Sequence, residues 1–350
     1  MVAKITAKAE AWIIFDRIVA LAAPEGKHSN PWVRCPAGKP HFEPDYDTLE
    51  RLLGVPLYLK AGTQSGVPAL ALDVWLSYEL RRAGFNDNQV WPRPVNPRIY
   101  PAAVAALIES LPKKLKADVQ KRVFAKTSIK GVTSSSANIL GRNYVKQVDV
   151  VITDWATGPE LLVSTKRMDS SYGKNAPNRI EESYGDAKNL RLRHPLAALG
   201  FVFGLRSDIL QKEPKTALWL FDLLGKLGRE DDAYHATCLI LMEYSGDVAS
   251  PEAESGLDST EIPDPGPESE EEEEVAAGSI PEDIINQTIE NLPKVRIVKE
   301  HTPVNLVPGL FLTAMVTRVL DTTPVNMHEE ARARLASLSG IPATASAITP

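Results

Sequence analysis

The amino-acid sequence predicts an α/β protein in which helices flank a mixed central sheet, preceded by a mostly helical N-terminal region. Two apolar runs, at residues 148–153 and 160–166, are separated by the turn-forming residues 155–159, which predicts an antiparallel hairpin. Two later runs, at residues 198–205 and 237–244, have the length and apolar content of buried strands. Because a helix is expected between the hairpin and these strands, the alternation predicts a sheet layered with helices.

Helical spacing dominates residues 1–125. Apolar side chains recur every three or four positions in residues 7–22 and again in 70–82, and a further helix is expected at 102–110. Prolines interrupt the helical pattern in residues 92–101. We expect this region to serve in target specificity or in dimerisation.

The core is predicted to span residues 126–245. Within it, residues 135–147 are expected to form a helix that leads into the first strand. A loop is expected at 169–178, where Ser, Gly, Lys, Asn and Pro are frequent, followed by a helix over 179–193. The C-terminal part, residues 281–350, contains a strand-like segment and an apolar helix before a tail that we expect to be frayed.

Charge is unevenly distributed along the chain, whose formal net charge is -6. Residues 230–293 contain 19 acidic residues and no Lys or Arg, which leaves 39 basic against 26 acidic residues elsewhere. A basic body of this kind is compatible with a polyanionic partner. Residues 246–280 hold few large apolar side chains and are predicted to be a disordered acidic loop, either a spacer or a DNA mimic covering a basic groove.

Several classes of protein are disfavoured by what the sequence lacks. The two cysteines, Cys35 and Cys238, are far apart and the six histidines are scattered, so neither a disulfide framework nor a zinc site is expected. The sequence contains no Walker A, Gly-x-Ser-x-Gly or Rossmann glycine motif. Without a long apolar run or an apolar leader, we expect a cytoplasmic protein that does not enter a membrane.

Four candidate residues around the predicted hairpin carry chemistry. Asp149 opens the first strand, Lys166 ends the second, and Glu181 and Glu182 follow on the next helix. Two carboxylates and a lysine of this kind are able to hold Mg²⁺ and to prepare a water for attack on a phosphodiester. On a helical projection Glu181 lies at the edge of the face shared by Ile180, so it is preferred as the ligand and Glu182 is the reserve.

This pattern resembles the PD-(D/E)XK nuclease superfamily. The segments that carry the resemblance are residues 148–152, with Asp149, and residues 161–166, which end in Ser-Thr-Lys before the helical Glu181. More narrowly, the chain is similar to type II restriction endonucleases in which Ser replaces the acid two positions before the lysine and a helical Glu takes over its role. The resemblance covers about residues 125–245 and implies a restriction-endonuclease-like core.

The resemblance implies a role for each motif residue. Asp149 and Glu181, or Glu182, would bind Mg²⁺. Lys166 would stabilise the charge that develops on the phosphate or orient the attacking water. Ser164 would hydrogen-bond a metal-bound water without replacing the charge of a carboxylate.

Basic and amide side chains near the motif are candidates for DNA contacts. They are Lys126, Lys130, Lys174, Asn178, Arg179, Lys188 and Arg191. The implied partner is double-stranded DNA, the implied assembly is a homodimer with one active site per strand, and a cognate DNA methyltransferase encoded nearby would protect the host. Two alternatives stay open: a non-specific or repair nuclease of the same fold, and a DNA-binding relic that has lost catalysis.

Overall fold

The computed structural model describes residues 6–34, 38–123, 129, 132–134, 136–231, 233–245 and 280–338. Its α-helices within these residues are α1 (Ala7–Ala22), α2 (Tyr46–Tyr58), α3 (Val67–Arg82), α4 (Ala102–Ser110), α5 (Lys113–Val123), α6 (Tyr172–Arg191), α7 (Ile209–Lys212), α8 (Pro214–Leu227), α9 (Glu282–Glu290), α10 (Pro308–Thr322) and α11 (Glu329–Ala336). Its strands are β1 (Trp32–Arg34), β2 (Pro40–Phe42), β3 (Val90–Trp91), β4 (Ala137–Leu140), β5 (Val145–Val148), β6 (Val150–Asp154), β7 (Gly158–Met168), β8 (Ala198–Arg206), β9 (Ala236–Tyr244) and β10 (Val295–Ile297).

A six-stranded mixed sheet forms the centre of the molecule, in the order β10-β9-β8-β7-β6-β3. Strands β7, β8 and β9 run parallel, whereas β3, β6 and β10 each pair antiparallel with their neighbours. The long helix α6 connects the parallel pair β7 and β8, as a crossover connection requires. The predicted fold class, an α/β protein with a mixed sheet flanked by helices, is confirmed at this level.

Each face of the sheet packs against its own set of helices. On β7, Leu161 and Val163 join one core with α1, α2, α3 and α10, whereas Leu162 joins a second core with α6 and α8. Successive side chains of a strand point to opposite faces, so this alternation divides the apolar residues between the two layers. The result is three layers, with helices on both sides of the sheet.

Most of the predicted elements are confirmed. Strands β6 and β7 form the expected antiparallel hairpin, and helices lie over residues 7–22, 67–82 and 102–110. The N-terminal region also contributes more than helices, since β3 pairs with β6 and α3 packs on the sheet. It therefore shares a core with the central strands.

One predicted helix is wrong. Residues 135–147 contain the antiparallel pair β4 and β5, in which Ala137 pairs with Val148 and Leu140 with Val145. The turn between them contains Gly141 and Asn143, residues that favour turns, and the valines of β5 favour extended backbone. The strand predicted over 148–153 is accordingly two strands, interrupted at Asp149.

The helix after the hairpin begins earlier than predicted. Residues 172–178 belong to α6 rather than to a loop. Tyr172 and Ala176 lie one turn apart and are both buried, which gives this end of the helix a core-facing stripe despite Pro177 inside it. The loop that remains is short, and α6 follows β7 almost directly.

The C-terminal part completes the sheet through β10 and covers one of its faces with α10. Apart from Ile280, the predicted acidic loop lies outside the described residues, as do residues 339–350 of the predicted tail. None of the helices described here combines the length and the apolar character needed to cross a bilayer.

Candidate functional site

Asp149 occupies the break between β5 and β6. Its Oδ2 accepts a hydrogen bond from the backbone N–H of Thr165 on β7, at 2.7 Å, so the carboxylate is held against the neighbouring strand. Burial raises the pKa of Asp149, an effect that the Thr165 N–H and the charges of Lys166 and Lys146 oppose. The predicted acid is thus placed beside the predicted lysine.

A second carboxyl group reaches the same strand from the N-terminal region. The Thr165 hydroxyl donates a hydrogen bond to Asp73 Oδ1 on α3 at 2.6 Å. Asp73 is buried, and burial together with the proximity of Asp149 raises its pKa well above the ordinary value. Sequence reasoning missed Asp73; the available signal was an acid between Leu72 and Val74 in a strongly apolar helix.

Ser164 and Lys166 lie on the opposite face of β7, toward α6. The Nζ of Lys166 lies 3.2 Å from Glu182 Oε1, and the Lys166 side chain is 25% exposed. Ser164 is buried. Tyr234, whose hydroxyl donates to the Ser183 carbonyl at 2.8 Å, lies on the same side of the sheet.

Glu182, not Glu181, faces the strand ends. Glu181 is exposed on the outer surface of α6, whereas Glu182 is half-buried beside Lys166. The helical projection that favoured Glu181 was wrong because it placed Tyr184, which is exposed, on the inner face of α6 and Asp186 and Asn189, which are buried, on the outer face. Although burial acts to raise the pKa of Glu182, the charges of Lys166 and Lys146 lower it, so the carboxylate is ionised at neutral pH.

The β4–β5 hairpin brings a second lysine to the site. Lys146 Nζ lies 2.6 Å from Asp186 Oδ2 and 3.6 Å from Glu182 Oε1. The Tyr144 hydroxyl donates to Asp186 Oδ1 at 3.1 Å. Lys146 was not considered from the sequence because residues 135–147 were expected to be helical; the Gly141–Asn143 turn was the available signal.

The candidate DNA contacts are divided by the structure. Lys126 and Lys130 lie outside the described residues. Three of the candidates, Lys174, Asn178 and Lys188, are exposed on α6. Their spacing places them on one outer face of the helix. Arg179 lies 3.5 Å from Glu182, and Arg191 donates to the Ala233 carbonyl at 3.1 Å.

The donor set suits a hard cation. Glu182 lies 3.2 Å from Lys166, whose charge also acts on Asp149. Mg²⁺ prefers oxygen ligands, and the protein usually supplies only one or two carboxylates. Within the described residues, no group of three or more His, Cys, Asp or Glu side chains is placed to hold a metal ion. A cation here would rely on water, backbone carbonyls or substrate oxygens for its remaining ligands.

Comparison of this chain with protein-family models, with curated proteins and with solved structures finds no significant match. Membership of the nuclease superfamily is therefore a proposal. Any function for this chain must be argued from its own residues and from the way they are arranged.

Proposed function

We propose that this chain is a Mg²⁺-dependent endodeoxyribonuclease that acts in restriction or phage defence. The observation that carries the proposal is that Lys166 on β7 lies 3.2 Å from Glu182 on α6 while its charge acts on Asp149, which accepts the neighbouring Thr165 N–H. The order of these elements, a hairpin followed by a helix and a parallel strand, supports the same proposal, since the resemblance in the sequence implies that order.

The residues divide the chemistry between them. Asp149 and Glu182 would hold Mg²⁺, in place of the predicted Asp149 and Glu181. When bound, this ion would polarise the scissile phosphate and lower the pKa of a coordinated water. Lys166 would stabilise negative charge on the phosphate through its ammonium group, which lies beside Glu182.

The surrounding charges fit a polyanionic substrate. Lys166 and Arg179 lie beside Glu182, and exposed Lys174 and Lys188 extend positive charge along α6. Such side chains neutralise phosphates without reading the sequence. The proposed partner is double-stranded DNA, and cutting both strands calls for a homodimer, with a methyltransferase encoded nearby protecting host sites.

The proposal is tested by incubating the purified protein with mixed plasmid and phage DNA in Mg²⁺ and in EDTA. Asp149→Asn and Lys166→Ala are expected to cut at least about a hundredfold more slowly, as when a group that stabilises transition-state charge is removed. Lys226→Ala serves as the control, because Lys226 is an exposed lysine on α8 that pairs with Asp222.

The outcomes separate the alternatives. Discrete fragments that require Mg²⁺ and disappear in both variants support the restriction activity, while smearing favours a non-specific or repair nuclease. Binding without cleavage of any DNA favours the catalytically inactive relic. Cleavage by Lys166→Ala at the wild-type rate would refute the assignment of this site.

A further inference from the structure

The β4–β5 hairpin is clamped to α6 at its tip. The side chain of Asn189 accepts from the Asn143 N–H at 2.8 Å and donates to the Tyr144 carbonyl at 3.0 Å. The Arg142 N–H donates to the Asn189 carbonyl at 2.8 Å. Because three hydrogen bonds hold the tip of the hairpin, Lys146 on β5 lies at a defined position beside α6.

Lys146 meets two carboxylates of the same helix. Glu182 and Asp186 lie four positions apart on α6, so their side chains are neighbours and their charges repel. Lys146 lies 2.6 Å from Asp186 and 3.6 Å from Glu182, and its side chain is only 23% exposed. Asp186 is itself buried and held by the Tyr144 hydroxyl, which makes it the anchor of the lysine.

We infer that Lys146, anchored by Asp186 and Tyr144, is a positioning residue that holds the carboxylate of Glu182 toward Lys166. This inference rests on the proposed function, in which Glu182 is a metal ligand. Mutation of a residue that orients a metal ligand typically lowers metal affinity or activity by about 10- to 100-fold. Lys146 is assigned this role rather than a DNA contact because its ammonium group is engaged by two carboxylates.

The experiment compares Lys146→Ala, Lys146→Arg and Tyr144→Phe with the control Lys226→Ala. Binding of Mn²⁺ alone, without DNA, is followed by the electron paramagnetic resonance signal of the unbound ion. Cleavage is measured as kcat and KM at a series of Mg²⁺ concentrations, and DNA affinity is measured in EDTA. Thermal unfolding of each variant identifies those that are folded.

Lys146→Ala is expected to weaken Mn²⁺ binding and to lower kcat by about 10- to 100-fold, with KM and DNA affinity in EDTA nearly unchanged. Lys146→Arg should restore most of both losses, because it keeps the charge. If Lys146→Ala does not fold, Tyr144→Phe decides, since it removes only one hydrogen bond to Asp186 and should still weaken Mn²⁺ binding several-fold.

Three results would overturn the inference. If Lys146→Ala binds Mn²⁺ as tightly as the wild type, or if Tyr144→Phe does so where Lys146→Ala does not fold, Lys146 has no positioning role. The nuclease proposal still stands in that case if the wild type cuts DNA. A loss of DNA affinity with a shallower salt dependence would make Lys146 a phosphate contact. If the wild type binds no Mn²⁺, both proposals are refuted. If Mn²⁺ binding depends on Lys146 but no DNA is cut, the positioning inference is supported and the nuclease proposal is refuted.

Discussion

Neighbouring glutamates on α6 offer a matched pair of substitutions. Glu182→Gln and Glu181→Gln each replace one carboxylate by a side chain of the same shape, at adjacent positions of one helix. Glu182 lies beside Lys166, whereas Glu181 is exposed on the outer surface. We therefore expect the first variant to lose activity and the second to cut DNA at close to the wild-type rate.

The size of the effect follows from the charge removed. At an effective dielectric constant of about 20, unit charges at the 3.2 Å separation of Lys166 and Glu182 interact by about 5 kcal/mol. Because the two side chains are 25% and 35% exposed, solvent reduces the net effect on stability to about 1 kcal/mol. Loss of a metal ligand costs more in activity, and about 3 kcal/mol in the barrier corresponds to a roughly hundredfold slower reaction.

The assay is the initial rate of plasmid nicking at several Mg²⁺ concentrations, with urea unfolding as a check on stability. Glu182→Gln should need more Mg²⁺ and cut about a hundredfold more slowly at saturation. If Glu181→Gln were the impaired variant, the face of α6 would have been assigned wrongly. If neither variant were impaired, no acid at these two positions would serve as the ligand.

Further predictions concern stability. Thr165→Val removes the hydroxyl that donates to Asp73 and leaves a buried carboxyl group with one partner fewer, so urea unfolding should show a loss of about 1–3 kcal/mol. His235 accepts the Leu199 N–H at its Nδ1, at 2.9 Å, and burial lowers the pKa of His235 from 6.5 to about 3. The unfolded chain therefore binds this proton first, and stability is lost as the pH falls from 6.5 toward 3. His235→Asn should reduce that acid sensitivity in urea titrations from pH 7 to pH 4; an unchanged slope would contradict the assignment.

The central elements were predictable because local patterning and tertiary burial agree there. The apolar runs of β7, β8 and β9 are buried and were recognised as strands. The helix predicted over residues 135–147 was wrong because the apolar pattern of this short segment is ambiguous. The β4–β5 hairpin that forms there is held by Asn189, which lies more than 40 positions away. Contacts at such separations leave no local signal in the sequence.

The candidate site was predicted in part for the same reason. Asp149 and Lys166 were recognised because each lies at the end of a clear apolar run. The choice between Glu181 and Glu182 depends on the rotation of α6 against the sheet, which Tyr172 and Ala176 help to set through burial. Asp73 is brought to Thr165 by packing between distant segments, so spacing within the motif gave no indication of it.

The break at Asp149 joins parts of the molecule that are far apart in the chain. Its carboxylate depends on β7, and β7 in turn is held by α3 on one face and faces α6 on the other. Pairings between segments so far apart in the chain form slowly during folding. The hydrogen bonds of Thr165 to Asp149 and Asp73 therefore come together only as the sheet closes against α3.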